Sequence, residues 1–192
     1  HFGIKPFYYA KMNGTFMYAS EIKSLLRHPD FVKELNAEAL KPYMTFQYPA
    51  IGETFFKGVY KLPEGHYFTY RDGKMDIHRY YDEDFREGKQ KLGELVNSID
   101  QTVCDSVKAH QIADVEVGSF LSSGVDSSYV AAVARPQHTY SIGFGKGTYN
   151  ESQQAGELAE LLKLNNTAES LTDEEAFAAF PRIQWHLDEP DS

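Results

Sequence analysis

The sequence predicts a mixed fold in two parts, an α+β region built from antiparallel hairpins followed by an α/β region built on a parallel sheet. Three observations predict it. Aromatic residues, 14% of the 192 residues, lie mostly in the first half. A polar segment at 82–91 interrupts the hydrophobic pattern. Beyond it, strand-like and helix-like segments alternate, as in parallel sheets with crossover helices. The predicted domains are therefore residues 1–85 and 86–192.

Hairpins dominate the predicted first domain. Residues 7–10 and 15–19 are expected to be strands on either side of Asn13-Gly14, a pair that supplies turn geometry. Aromatic and aliphatic residues recur between turn signals over 54–81. That spacing predicts further hairpins rather than a parallel sheet.

Two short helices are predicted between the hairpins. Ser20 is expected to cap the first, which ends near Pro29, because serine at this position can accept from the first free amides. Asn36 is expected to cap the second, from Ala37 to about Met44.

The predicted second domain opens with a long amphipathic helix. Its hydrophobic residues recur at intervals of three or four and form one stripe, which we expect to pack on a sheet. The stripe consists of Leu92, Leu95, Val96, Ile99, Val103 and Val107.

Strands and helices alternate in the rest of the predicted second domain. They are, in order, a strand at 115–121, a helix at 127–134, a strand at 139–144, a helix at 151–163, a strand at 166–171 and a last helix from 173. Thr172 and Glu175 have the spacing of a capping box at the start of that last helix.

Composition excludes several classes of protein. A net charge of −9 disfavours binding to nucleic acid or to an anionic membrane. No apolar run approaches the roughly 20 residues that cross a bilayer, so we expect a cytoplasmic protein. Cys104 is the only cysteine, which excludes a disulfide framework and a cysteine-based zinc site. The histidines are scattered and predict no zinc site; they are His1, His28, His66, His78, His110, His138 and His186.

The segment 122–127, Ser-Ser-Gly-Val-Asp-Ser, has the residue types of a phosphate-binding loop. It follows a predicted strand and precedes a predicted helix, where ligands of parallel sheets bind. Gly124 allows close approach and unusual dihedral angles, and successive amides at a helix start attract anions. Asp126 would repel phosphate unless it holds Mg²⁺. The alternative is a strand-to-helix turn whose serines cap the helix.

A second glycine-rich segment, residues 143–148, lacks the spacing of a Walker loop and does not complete a dinucleotide fingerprint. We therefore interpret it as a loop that follows a strand.

Several segments resemble one family in its own order. Residues 120–128 are similar to the SGGxDS loop of N-type ATP pyrophosphatases. Later segments of glutamine-dependent asparagine synthetases resemble two further parts of the chain. The first is residues 140–144 with 149–151, and the second is His-Leu-Asp-Glu-Pro at 186–190. Residues 2–9 and 19–26 resemble the later part of the glutaminase domain of these enzymes. Ser123 departs from the motif, which has its first glycine there.

The resemblance implies a fold and a reaction. The fold is a partial N-terminal-nucleophile-type antiparallel β-sandwich followed by a partial ATP pyrophosphatase domain of the adenine nucleotide alpha hydrolase-like type. The reaction is the ATP-dependent amidation of aspartate through β-aspartyl-AMP, with ammonia released from glutamine. ATP and Mg²⁺ are the implied substrate and cofactor.

The resemblance also implies site residues. The pyrophosphate and ATP contacts would come from Ser122, Ser123, Gly124, Val125, Asp126 and Ser127. Asp126 would also coordinate Mg²⁺. Leu121, Ile142 and Gly143 would lie near the adenosine. Glu189 is a further candidate near the active cleft, and the alternative for it is a surface carboxylate at a helix end.

The family's glutaminase nucleophile, an N-terminal cysteine, has no counterpart here, because position 1 is His and Cys104 lies on a predicted helix. We therefore expect an internal piece of the parent enzyme that neither hydrolyses glutamine nor completes asparagine synthesis. Apolar faces without their partners would favour homo-oligomers. The alternatives are a noncatalytic or degenerate nucleotide-binding module and a β-lactam synthetase-like amide-forming relative.

Overall fold

The computed structural model describes residues 1–48, 50, 52–144 and 151–189. The chain forms two compact units, His1–Arg86 with Phe180–Ser192, and Glu87–Ala179. The first contains antiparallel sheets and the second a parallel sheet, which confirms the mixed α/β fold class. The division at 85/86 stays a prediction.

Antiparallel pairing organises the first unit. Its three-stranded sheet has the order β2-β1-β3, and its two-stranded sheet pairs β4 with β5. The strands are β1 (Tyr8–Met12), β2 (Thr15–Ala19), β3 (Val59–Lys61), β4 (His66–Arg71) and β5 (Lys74–Arg79). Positive φ angles at Asn13-Gly14 and Asp72-Gly73 turn the two tight hairpins. The predicted hairpins are confirmed.

The core of the first unit lies on one face of β1. Alternate residues Tyr8, Ala10 and Met12 are buried there, because side chains of a strand alternate between its faces. Ile22 and Val59, at 1% and 0% exposure, close this cluster. On the other face, aromatic rings pack against one another, and Phe16 stacks on Tyr70 with ring centroids 4.1 Å apart.

Two short helices complete the first unit before residue 86. Asn36 caps a 3-10 turn, Ala37–Ala39, by accepting from the Glu38 amide at 3.2 Å, and α2 (Leu40–Phe46) continues it. That prediction is confirmed. The Ser20 cap was wrong, because the residue at the N-cap of α1 (Ile22–Leu25) is Glu21 and its side chain makes no cap. A carboxylate distant in sequence, Asp188, takes that role.

The second unit alternates helices with parallel strands in the order β6-β7-β8. Its elements are α3 (Leu92–His110), β6 (Ser119–Phe120), α4 (Val125–Ala134), β7 (His138–Phe144), α5 (Glu151–Leu162), β8 (Asn165–Leu171) and the start of α6 (Asp173–Leu187). Thr172 and Glu175 form the predicted capping box, with N···O distances of 2.9 and 3.2 Å.

Two expectations for this unit were wrong. The strand predicted at 115–121 is only two residues long, and β7, which begins at His138 and places Thr139 opposite Ser119, offers no partner to residues 115–117. The stripe of α3 is not buried on a sheet. Its first four members are 42–76% exposed, and α3 lies against α4.

One face of β7 carries small residues, which lets the helices approach closely. Thr139, Ser141 and Gly143 are buried there, while the alternate residues are exposed. The core on this side consists of Leu121, Ala131, Ala155 and Ala159. Within the described ranges, no helix is long and apolar enough to cross a membrane.

Candidate functional site

The loop 122–127 connects β6 to α4 and is held by hydrogen bonds among its own serines. The Ser122 and Ser127 hydroxyls lie 2.7 Å apart, and the Ser122 amide donates to Ser127 Oγ at 3.2 Å. The Gly124 amide donates to Ser122 Oγ at 3.1 Å. The Ser128 hydroxyl donates to the Gly124 carbonyl at 2.7 Å. These hydrogen bonds fix the conformation of the loop from within.

Backbone donors at the start of α4 remain available. In the part of the chain that the structure describes, no acceptor meets the amides of Val125, Asp126 or Ser127. The first amides of a helix have no intrahelical partner and lie at the positive end of the helix dipole. This geometry can hold an anion such as phosphate.

Gly124 serves the loop in a different way from the one the sequence predicts. Its φ and ψ are −70° and 150°, an extended conformation open to any residue, so the unusual dihedral angles expected there are absent. A Cβ at this position would lie 3.2 Å from Ser122 Oγ. Glycine therefore matters here for the close approach of the Ser122 hydroxyl.

The Asp126 carboxylate lies in the first turn of α4 and is exposed. It makes no hydrogen bond or ion pair with another described residue. Nor do the described residues contain a group of three or more metal-ligating side chains. Asp126 can therefore contribute one ligand to a Mg²⁺ ion whose other ligands are phosphate oxygens and water.

The sheet fixes the other end of the loop. The Leu121 amide donates to the Tyr140 carbonyl at 2.8 Å, and its side chain is 2% exposed in the alanine-rich core. Of the residues predicted near adenosine, Ile142 is 47% exposed and Gly143 is buried. Any contact of Leu121 with a nucleotide would come from its backbone.

Helix α3 contacts α4 near the middle of α4 and at its carboxyl end. The Tyr129 hydroxyl donates to the Asp100 carboxylate, and Gln111 Nε2 donates to the Ala134 carbonyl at 2.7 Å. The hydrogen bond to Asp100 raises the pKa of Tyr129 to about 12. Cys104, one turn beyond Asp100, is half-buried. These contacts depend on the packing of two helices, and no local signal in the sequence indicates them.

Glu189 belongs to the first compact unit, whereas the loop 122–127 belongs to the second. Its carboxylate accepts a hydrogen bond from the Tyr8 hydroxyl at 3.1 Å and borders a cleft of about 490 Å³. Burial raises the pKa of Glu189, the Tyr8 hydrogen bond and Lys61 oppose that shift, and Asp188 adds to it. Burial and Glu189 also raise the pKa of Tyr8.

The raised pKa of Glu189 predicts that the first unit loses stability as pH rises. Between the ordinary value of 4.5 and the higher folded value, the folded state binds more protons than the unfolded state, so stability falls through this window. Glu189→Gln should abolish that decline. Urea unfolding followed by Trp185 fluorescence from about pH 4 to about pH 8 measures it.

Tyr8→Phe is the informative companion variant, because it removes the hydrogen bond that favours the ionised carboxylate. It should extend the decline to higher pH. Equal pH slopes for the wild-type chain and Glu189→Gln would contradict the assignment of this titration to Glu189.

Two parts of the predicted motifs lie outside the described residues. They are residues 145–150, which include most of the second glycine-rich segment, and Pro190 of the His-Leu-Asp-Glu-Pro segment.

Comparison with family models assigns both parts of the chain. Residues 1–81 match a glutamine amidotransferase domain, and residues 98–192 match asparagine synthase. The two matches, in this order, define the class of protein: an amidotransferase domain joined to a synthase domain in one chain.

Individual relatives agree with that class. Asparagine synthetase [glutamine-hydrolyzing] 1 of Bacillus subtilis is 37% identical to 98% of this chain, over 30% of its own length. A putative asparagine synthetase [glutamine-hydrolyzing] of Mycobacterium tuberculosis is 34% identical, again over 98% of this chain and 31% of the relative. The chain therefore belongs to the family of glutamine-hydrolysing asparagine synthetases. It spans about a third of the length of these curated relatives.

Proposed function

We propose that this chain is the part of a glutamine-hydrolysing asparagine synthetase that holds the triphosphate of ATP. In the whole enzyme, ATP activates aspartate as β-aspartyl-AMP and releases pyrophosphate, and ammonia from glutamine then displaces AMP. The observation that supports this role most directly is the loop 122–127, which its own serines hold and in which no described residue accepts from the first amides of α4.

The loop residues have distinct roles in this proposal. The amides of Val125, Asp126 and Ser127 bind phosphate oxygens, and the Ser122 and Ser127 hydroxyls orient the loop around Gly124. Fixed donors of this kind stabilise the charge that develops on the departing pyrophosphate. Ser123 adds an exposed hydroxyl where the motif has glycine.

Magnesium fits the side chains present, because Asp126 offers an exposed carboxylate beside the anion-binding amides. Asp126 would hold the ion, which when bound neutralises phosphate charge. Ile142 and Gly143 on β7 would border the adenosine, and Leu121 would do so through its backbone. Glu189 stays a proposed cleft residue.

The finer fold also belongs to this proposal. The antiparallel sheets of the first unit would be part of an N-terminal-nucleophile-type sandwich, and β6-β7-β8 part of an ATP pyrophosphatase sheet. The homo-oligomer and the cytoplasmic location stay predictions. Light scattering over a wide range of concentration decides the first of them.

Calorimetric titration with Mg·ATP tests the proposed function. The wild-type chain should bind saturably, and Asp126→Ala should bind at least about tenfold more weakly, which corresponds to about 1.4 kcal/mol. Asp173→Ala is the matched control, because Asp173 is also an exposed carboxylate in the first turn of a helix of the same unit. It should bind like the wild type.

The alternatives give different results in the same titration. A degenerate module would show no saturable binding, and Asp126→Ala would change nothing. The relatives, which are named as asparagine synthetases, do not favour this alternative or the β-lactam synthetase-like one.

A further inference from the structure

A buried serine contacts the residue that precedes the loop 122–127. Ser141, on β7, is 3% exposed. Its hydroxyl donates to the Leu121 carbonyl at 2.8 Å and lies 3.1 Å from Asn166 Oδ1 on β8. The hydrogen bond to the Leu121 carbonyl therefore connects the residue before the loop to β7.

The Ser141 hydroxyl replaces a backbone hydrogen-bond donor to the Leu121 carbonyl. The pairing of β6 with β7 ends at Phe120 and Tyr140. Beyond it, the Leu121 amide still donates to the Tyr140 carbonyl, but no backbone amide of the described chain donates to the Leu121 carbonyl. Since a buried carbonyl needs a donor, Ser141 supplies it at the point where the chain leaves the sheet.

The position of Leu121 decides where the loop begins. Ser122, the next residue, carries the hydroxyl that meets both Ser127 Oγ and the Gly124 amide. A shift of Leu121 would move these contacts and the amides at the start of α4 together. Loss of a fixed geometry at a binding site weakens binding even when the contacting groups remain.

We propose that Ser141 is a positioning residue, which fixes the position of the loop 122–127 through the Leu121 carbonyl without touching the nucleotide. This inference rests on the proposed function for its effect on nucleotide binding. Its effect on the loop itself does not depend on that function.

Thr139 provides a matched control on the same face of the same strand. It is 0% exposed, and its hydroxyl lies 3.3 Å from the Asn165 carbonyl and 2.9 Å from Asn166 Oδ1. Both buried hydroxyls therefore contact β8, but only Ser141 contacts the chain at the loop. Thr139→Val and Ser141→Ala each remove one buried hydroxyl with little change in shape.

The experiment measures amide hydrogen exchange by NMR in the wild-type chain and both variants. The reporters are two backbone amides. The Leu121 amide donates a hydrogen bond to the Tyr140 carbonyl, and the Ser128 amide donates one to the Gly124 carbonyl at 3.1 Å. The Leu164 amide, which donates a hydrogen bond to the Ala159 carbonyl at 2.8 Å, is the reference within the same unit. In Ser141→Ala, the loop reporters should exchange about tenfold faster while the reference is unchanged. Thr139→Val should leave the loop reporters near their wild-type rates.

Titration with Mg·ATP of the same proteins gives the second measurement. Ser141→Ala should bind about three- to tenfold more weakly than Thr139→Val. Unchanged loop exchange in Ser141→Ala, or equal acceleration in both variants, would overturn the positioning role. Absence of binding by the wild-type chain would overturn the proposed function alone, since the exchange rates still decide the role of Ser141.

Discussion

Asp188→Ala is expected to lower the free energy of unfolding of the first compact unit by about 3 kcal/mol. The carboxylate, 7% exposed, accepts from the Ile22 amide at 2.7 Å and from the Lys23 amide at 3.2 Å, and it pairs with Lys23 Nζ at 3.1 Å. It thus caps α1 and neutralises a cation that is itself 13% exposed. Alanine would leave the two amides without their acceptor and would remove one of the two carboxylates that neutralise the Lys23 ammonium, the other being Glu21 at 3.2 Å.

The pKa of Lys23 reflects this environment. Burial alone lowers it, but the hydrogen bonds to Asp188 and Glu21 outweigh burial and raise the pKa above its ordinary value. The ammonium therefore stays charged in the folded state, and a variant without Asp188 must accommodate that charge.

Urea unfolding followed by the fluorescence of Trp185, the single tryptophan, measures the loss, because Trp185 lies in the same compact unit as Asp188. Asp188→Asn keeps an acceptor for α1 and should lose less than alanine. Lys57→Ala is the control, since its pair with Glu34 is more than half exposed and its loss should change stability little. A loss for Asp188→Ala no larger than that of Lys57→Ala would contradict the cap.

Leu121→Ala is expected to destabilise the second unit by about 3 kcal/mol, within the range for large-to-small changes in a core. Leu121 is 2% exposed and packs with Ala131, Ala155 and Ala159. The three neighbouring alanines are too short to fill the space that a leucine leaves. The loss therefore includes both the buried surface and the cavity.

The neighbouring residue supplies the control for this prediction. Phe120 precedes Leu121 but is 77% exposed, so Phe120→Ala should change stability by less than about 0.5 kcal/mol. Circular dichroism in increasing urea measures both variants, with the helices of the second unit as the main source of signal. Similar losses for the two would show that burial does not distinguish these neighbours.

Local signals in the sequence predicted the elements whose causes are local. Asn13-Gly14 fixes a hairpin through its own backbone preference, and Asn36 caps a turn two residues away. The length of β6 could not be predicted in this way, because it depends on where β7 begins. The cap of α1 was assigned to Ser20 for a similar reason, since its real acceptor, Asp188, is far away in sequence.

In the candidate site, too, only the features with local causes were predictable. The residue types of the loop 122–127 and its place between a strand and a helix predicted a phosphate-binding loop. The backbone of Gly124 and the role of Ser141 depend on packing. The alternation of small residues with exposed ones along β7 was the one available signal for Ser141, because it marks the face that the helices cover.

The long separation between Asp188 and α1 has a consequence for the order of folding. The two are 166 residues apart in sequence, and a helix of four residues has little stability of its own. A chain that grows from its amino end makes Ile22 early and Asp188 late. The first unit can therefore reach its final structure only after the second has been synthesised, and contacts of such high sequence separation form slowly.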